Sequence, residues 1–252
     1  MTPVRIIARL DIKGPNVVKG ICFEGLRIMG LPNELAQRYY HAGADEILFI
    51  DTVASLYGRD NILHIVEAAA RDVFVPMTVG GGIRSVDDIV QVLRSGADRI
   101  AVNTAAIQRP GLIREAADAF GSQCVVLSVE AKRQGPGRWE AYTDNGRERT
   151  GLDVLDWVVR AEDLGAGEVL LTSVDREGTR TGIDIDLIAA VARRVEIPVI
   201  ASGGVGSVTH ILEVVENTGI DAVACASVFH YGQCSIANVK QALIENGVPV
   251  RP

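Results

Sequence analysis

A chain of 252 residues can form one barrel or two smaller domains, and no Pro/Ser-rich or polar low-complexity stretch divides this one. Hydrophobic residues make up 48% and aromatic residues only 5%, so the core must be built from Val, Ile, Leu and Ala, as in a close-packed parallel barrel. The net charge of -7 argues against non-specific nucleic-acid binding, and the absence of a cleavable leader pattern or a bilayer-length apolar run predicts a soluble cytoplasmic protein with no membrane partner.

Val4 to Leu10 reads as the first strand, interrupted by Arg5 and Arg9 and ending at Asp11. A carboxylate at the C-terminal tip of a barrel strand stands where catalytic groups gather. The loop through Lys13, Gly14, Lys19 and Gly20 is rich in turn formers and can bring an ammonium to that tip. The plainer alternative is an Asp11 that caps local backbone and a solvated Lys19. Pro32 to His41 is the first helix, with Pro32 at its start and Gly43 beyond its end. Ile47 to Ile50 is the second strand, ended by Asp51, and Ile62 to Ala70 the next helix. Val75 to Val79 and Ile100 to Val102 are the third and fourth strands, with polar ends Gly80-Gly81-Gly82 and Asn103-Thr104.

Cys124 to Val129 is the fifth strand and delivers Glu130. Ala131 to Gly151 is too polar and glycine-rich for a helix; Arg138 to Thr143 is expected as one arm of a small excursion on the active face, followed by a turn at Asp144-Asn145-Gly146. Leu152 to Leu164 resumes the helical pattern, and Glu168 to Thr172 is the sixth strand. Ser173 to Gly182 is a second long loop, whose Glu177 is either catalytic or one more solvated charge. Asp184 to Arg194 is a helix, Val199 to Ala201 and Val223 to Ala226 the last two strands, and Ile236 to Asn246 the closing helix.

The segment Pro76 to Ile107 returns as Pro198 to Phe229, sharing Gly81/Gly203, Gly82/Gly204, Ser85/Ser207 and Ile89/Ile211. Ile7 to Lys13 likewise matches Val126 to Lys132, which sets Asp11 against Glu130. A single (β/α)8 TIM barrel with an internal half-barrel duplication, spanning residues 1–252, is therefore predicted. Glycines at strand ends let backbone N–H groups approach an anion, and Thr104 and Ser227 add hydroxyls at corresponding tips. Two such cradles on one face would clamp a substrate with a phosphate at each end; otherwise the glycines only permit tight turns. Cys22, Cys124, Cys225 and Cys234 lack metal-ligand spacing, and neither a P-loop nor a nucleotide-fold glycine motif is present, so neither a metal nor a cofactor is expected. His64 and His210 fall on helices, and His230 lies close enough to the eighth strand either to touch a ligand or to pack.

Leu10-Asp11, Val18-Lys19-Gly20, Phe49-Ile50-Asp51, Thr78-Val-Gly-Gly-Gly-Ile83, Val102-Asn-Thr-Ala105, Ala201-Ser-Gly-Gly204 and Ser227-Val-Phe-His230 together resemble the cyclase subunits of imidazole glycerol phosphate synthase, the barrel partners of a glutaminase. The resemblance runs along almost the whole chain. It implies a heterodimer with a glutaminase, and a doubly phosphorylated phosphoribulosyl substrate closed into an imidazole with ammonia. It further implies an acid/base pair at Asp11 and Glu130, and substrate or phosphate contacts at Lys19, Asp51, Gly82, Asn103, Thr104, Thr172, Glu177, Gly178, Gly203, Gly204 and Ser227. Arg5, Glu46, Arg99 and Glu168 would ring the ammonia entrance, or simply close the barrel bottom with salt bridges. The chain departs from the family pattern at Glu130 and Glu177, where aspartates are usual, and at Arg9, where a small residue is usual and a cation would lower the pKa of Asp11. Those departures keep three rivals in view: an ammonia-channelling partner for sugar amidation, an aminoaldose–aminoketose isomerase, and a scaffold that only activates a glutaminase.

Overall fold

The apolar segments pair into a closed barrel in a computed structural model that describes residues 2–54, 62–220 and 222–251. The strands are β1 (Arg5–Lys13), β2 (Asn16–Ile21), β3 (Glu24–Gly30), β4 (Glu46–Asp51), β5 (Met77–Gly80), β6 (Arg99–Val102), β7 (Val125–Gly135), β8 (Arg138–Thr143), β9 (Glu148–Asp153), β10 (Glu168–Ser173), β11 (Val199–Ser202) and β12 (Ala222–Cys225). β1, β4, β5, β6, β7, β10, β11 and β12 pair in parallel in that order, and β12 returns to β1 through Arg5 opposite Ala222, giving the (β/α)8 barrel.

Strand alternation divides the aliphatic core in two. Ile7, Leu48, Ala101, Val126, Leu170, Ile200, Ala222 and Ala224 fill the barrel interior. Ile6, Ala8, Leu10 and Ile12 point the other way, into the layer between barrel and helices. Burial on both faces explains why these strands read as continuous apolar runs. No described helix is long and apolar enough to cross a membrane.

The duplication is visible in backbone geometry. Ser85 and Ser207 cap the helices Val86–Arg94 and Val208–Thr218 with φ/ψ of -144/166° and -152/166°, each accepting the backbone N–H three residues on. Asn103 and Ala226, at the tips of β6 and β12, share a second unusual conformation at -127/-87° and -125/-76°.

The structure corrects three boundaries near the site. β1 continues to Lys13, so Asp11 lies within the strand, opposite Ile50 of β4, and not at its tip. The expected loop through Lys19 is an antiparallel hairpin of β2 and β3, joined by Cys22 and Phe23 at φ 49° and 62°. Residues other than Gly, Asn and Asp seldom adopt this conformation, so the sequence carries no turn signal there. The helix expected from Leu152 begins at Val154, because Leu152 and Asp153 end β9 and the Asp153 side chain accepts from the N–H groups of Leu155 and Asp156. β7, β8 and β9 form an antiparallel meander that carries residues 131–151 above the barrel mouth.

Candidate functional site

At the C-terminal end of the barrel, Arg9 and Asp11 point to the same side of β1, as alternation requires. Arg9 Nε donates to Asp11 Oδ1 at 2.8 Å, and Nη1 donates to Thr172 Oγ1 at 2.9 Å and Ser202 Oγ at 3.1 Å. Lys19 Nζ, delivered by β2, donates to Asp11 Oδ2 at 2.8 Å and also pairs with Glu177. All four charged side chains are buried. Burial disfavours the Asp11 carboxylate, but Arg9 and Lys19 outweigh it and hold the group well below the usual carboxylate range. Burial is also the main cause that lowers Lys19, partly offset by Asp11.

Glu130 comes from β7, on the opposite side of the barrel, and accepts the Gly146 N–H at 2.9 Å. Arg9 and Lys19 pair with Asp11 and Glu177, and among the described residues no ion pair reaches Glu130. Desolvation accordingly pushes Glu130 up to about 7, with Gly146 and Arg9 opposing it and Asp144 and Asp11 adding to it. The two facing carboxyls thus have well-separated proton affinities, an arrangement suited to acid/base work near neutral pH.

Glu130 opens onto a cavity of about 170 Å³ that also meets Asp51, Gly82, Asn103 and Thr104. Asp51 accepts the N–H groups of Val53 and Ala54, both at 3.0 Å, and burial raises its pKa. Asn103 donates to Tyr142 O at 3.1 Å, while its buried Oδ1 has no hydrogen-bond partner among the described residues. A cavity of about 80 Å³ lies beside Asp11, Lys19 and Glu177. The space at Ser202, Gly203, Gly204 and Ser227 is only about 10 Å³, room for roughly one water. The two cradles therefore share backbone geometry but not openness. Backbone proximity alone requires their glycines: a Cβ at Gly81 would stand 2.3 Å from Asp51 O, and one at Gly204 2.1 Å from Gly182 O. Tight packing thus accounts for the glycines, and open volume lies only beside the first cradle's Gly82 and Thr104, not beside the second's Gly204 and Ser227.

The hairpin and the 173–182 loop are fitted together over the closed side. Cys22 N donates to Glu177 O at 2.7 Å, and a Cβ at Gly178 would lie 2.0 Å from Gly20 O. Phe23 is buried, with its ring centroid 5.7 Å from the Arg9 guanidinium. Phe23 was not singled out from the sequence, since nothing local marks its turn, and Ser202 was named only within the Ala201-Ser-Gly-Gly204 motif and not as a partner of Arg9. His230 Nδ1 meets the Tyr39 hydroxyl at 2.6 Å, and burial holds it near 4, so it is neutral at physiological pH and packs on Tyr39.

At the other end of the barrel, Arg5 pairs with Glu46 at 2.9 Å and Glu168 at 2.5 Å, and Arg99 pairs with Glu168 at 2.5 Å and with Glu46. Burial works against the Arg5 charge, but Glu168 and Glu46 more than compensate and raise its pKa. The four residues form a ring of alternating charge across the barrel bottom.

A parallel barrel with a buried, protonatable glutamate facing an ion-paired aspartate, beside a glycine-lined cavity, has the fold and groups of an acid/base enzyme. A family model described as "Histidine biosynthesis protein" matches residues 5–235. Imidazole glycerol phosphate synthase subunit HisF of Legionella pneumophila is 63% identical over 206 residues, covering 82% of this chain and 97% of that protein. The protein of the same name from Streptococcus mutans is 47% identical over 251 residues, covering 100% of both. The chain belongs to the histidine biosynthesis protein family that includes these HisF subunits.

Proposed function

We infer that the chain is the cyclase of imidazole glycerol phosphate synthase. It uses ammonia to convert phosphoribulosyl-formimino-aminoimidazole carboxamide ribotide into imidazole glycerol phosphate and aminoimidazole carboxamide ribotide in histidine biosynthesis. The observation that carries this reading is the facing pair Asp11 and Glu130, in a chain that matches a HisF subunit from end to end.

Ammonia adds to the ribulosyl carbonyl, water leaves, the carboxamide ribotide is eliminated and the imidazole closes. Each step moves a proton on one part of an extended substrate. Glu130, near 7, can hold or release a proton at the cavity, while the Asp11 carboxylate stabilises positive charge developing on the other side. One phosphate would lie against Gly82 and Thr104, where volume is open. The other would lie against Gly203, Gly204 and Ser227, and would have to part the loop carrying Glu177 and Gly178 from that cradle. Lys19 would then exchange Glu177 for the substrate's negative charge, with Asp51, Asn103 and Thr172 lining the path between the phosphates.

The ring of Arg5, Glu46, Arg99 and Glu168 is the entry for ammonia from a glutaminase subunit docked on the barrel bottom as a heterodimer. The small side chains Ala101, Ala222 and Ala224 would line its path upward.

The test is product formation by the isolated protein with excess ammonium. Imidazole glycerol phosphate should form, and Glu130→Gln should lower kcat by about 10²–10⁴-fold, the usual contribution of a general acid/base. A folded protein without turnover would refute the cyclase reading and favour ammonia delivery for sugar amidation.

A further inference from the structure

Arg9 lies across the barrel interior. It leaves the chain on β1, yet its guanidinium reaches Ser202 on β11 and Thr172 on β10, two and three strands round the barrel. Phe23 closes over it from the hairpin, and Asp11 fixes its Nε. With four contacts and only 4% exposure, its position is set from all sides.

We propose that Arg9 is a positioning residue that fixes Asp11 as a carboxylate with each oxygen engaged by a cation, so that Glu130 alone of the facing pair exchanges protons with the substrate. The proposal rests on the cyclase reading and adds a division of labour between the two carboxyls. Protonating Asp11 would leave Arg9 and Lys19 facing Glu177 with one positive charge in excess, inside a site whose space beside the guanidinium is only about 10 Å³. Protonating Glu130 leaves the matched cluster intact. Arg9 and Lys19 face Asp11, with Glu177 beyond Lys19, His230 nearby, and Lys13 and Arg147 lining the adjoining cavity; Arg9, Asp144 and Asp11 face Glu130, which accepts from the Gly146 N–H and shares its cavity with Asp51 and Arg84. Removing Arg9 therefore acts on both carboxyls. Asp11 loses one of its two cations, and Glu130 loses the cation that opposes its upward displacement.

The test is kcat/KM against pH at a fixed concentration of free ammonia, for wild type, Arg9→Met and Arg9→Lys. Wild type should show one ionisation near 7 from Glu130, with none from Asp11 between about pH 4 and 8. Arg9→Met should move that ionisation to higher pH by about half to one unit and lower kcat by roughly 10–100-fold, with a smaller change in KM. Arg9→Lys keeps the charge but cannot reproduce the fork to Thr172 and Ser202; it should restore the ionisation and recover only part of kcat. An unchanged ionisation in Arg9→Met would reduce Arg9 to a packing residue and overturn the proposal. Carbon-13 NMR of the side-chain carboxyls of unliganded wild type decides independently of turnover and of whether a variant folds. Asp11 titrating between about pH 4 and 8 would overturn the division of labour even if the cyclase reading stands, whereas Glu130 titrating alone supports it.

Discussion

Glu130 is longer by one methylene than the aspartate usual at its position, and the local backbone accommodates the difference. The turn Asp144-Asn145-Gly146, with φ of 52°, 60° and 73°, brings the Gly146 N–H to the far end of the side chain. The group then contributes to stability with a definite sign. Its folded pKa is raised from 4.5 to about 7, so the unfolded chain releases the proton first, and stability present below pH 4.5 is lost as pH rises towards 7. The loss amounts to about 3 kcal/mol. Glu130→Gln, which stays neutral, should therefore be more stable than wild type by about this amount at pH 8 and nearly equal to it at pH 4.5, as urea denaturation at the two pH values would show. Asp11 has the opposite sign: its pKa is depressed, so its contribution is complete above 3.8 and is lost as pH falls below that value.

Among the elements, the caps and the paired loops set the site. Ser85 and Asp88 make a reciprocal capping box, whereas Ser207 accepts the N–H of His210, whose Nδ1 accepts from Gly206 N–H and not from that of Ser207. Ser85→Ala and Ser207→Ala should each cost about 1 kcal/mol in chemical denaturation, because each removes one hydroxyl acceptor while the Asp88 bond to the backbone N–H of residue 85 survives. Gly178→Ala meets both a positive φ of 72° and the Gly20 carbonyl, so it should part the hairpin from the 173–182 loop. A rise in KM and faster proteolysis within residues 16–30 would register the parting. The strands and helices were legible because aliphatic runs such as Ile47–Ile50 and capped periodic stretches such as Ser85–Arg94 obey local rules. Asp11 stood out as a carboxylate closing the first strand, Glu130 as its counterpart in the second half, and Arg9 as a departure from the family pattern. What escaped was non-local. The hairpin is fixed by Phe23 packing on Arg9 and by Cys22 bonding to Glu177, contacts that no local propensity encodes. Nor could the sequence show that the two cradles, alike in their glycines, differ in volume, since that depends on the loop lying over one of them.

Across the whole molecule, one barrel carries buried charge at both ends around an aliphatic middle. The bottom ring is sensitive to loss of any single member, because the charges left behind stay out of water. Glu168→Gln removes a partner of both Arg5 and Arg99 and should destabilise the protein by about 3–5 kcal/mol, measured from the urea midpoint at constant m. Replacing Glu168 together with Arg99 by neutral residues should cost less than the sum of the separate changes, which a double-mutant cycle would detect. β1 bears on the order of events during folding. It precedes the other barrel strands in synthesis, and its inward face holds Arg5 and Arg9, whose partners Glu168, Thr172 and Ser202 follow more than 150 residues later. Until those residues arrive, that face is more stable hydrated than docked, although Ile6, Ala8 and Leu10 on the outer face are ready to pack. The seam between first and last strands, Arg5 opposite Ala222, can form only once the last quarter of the chain has been made.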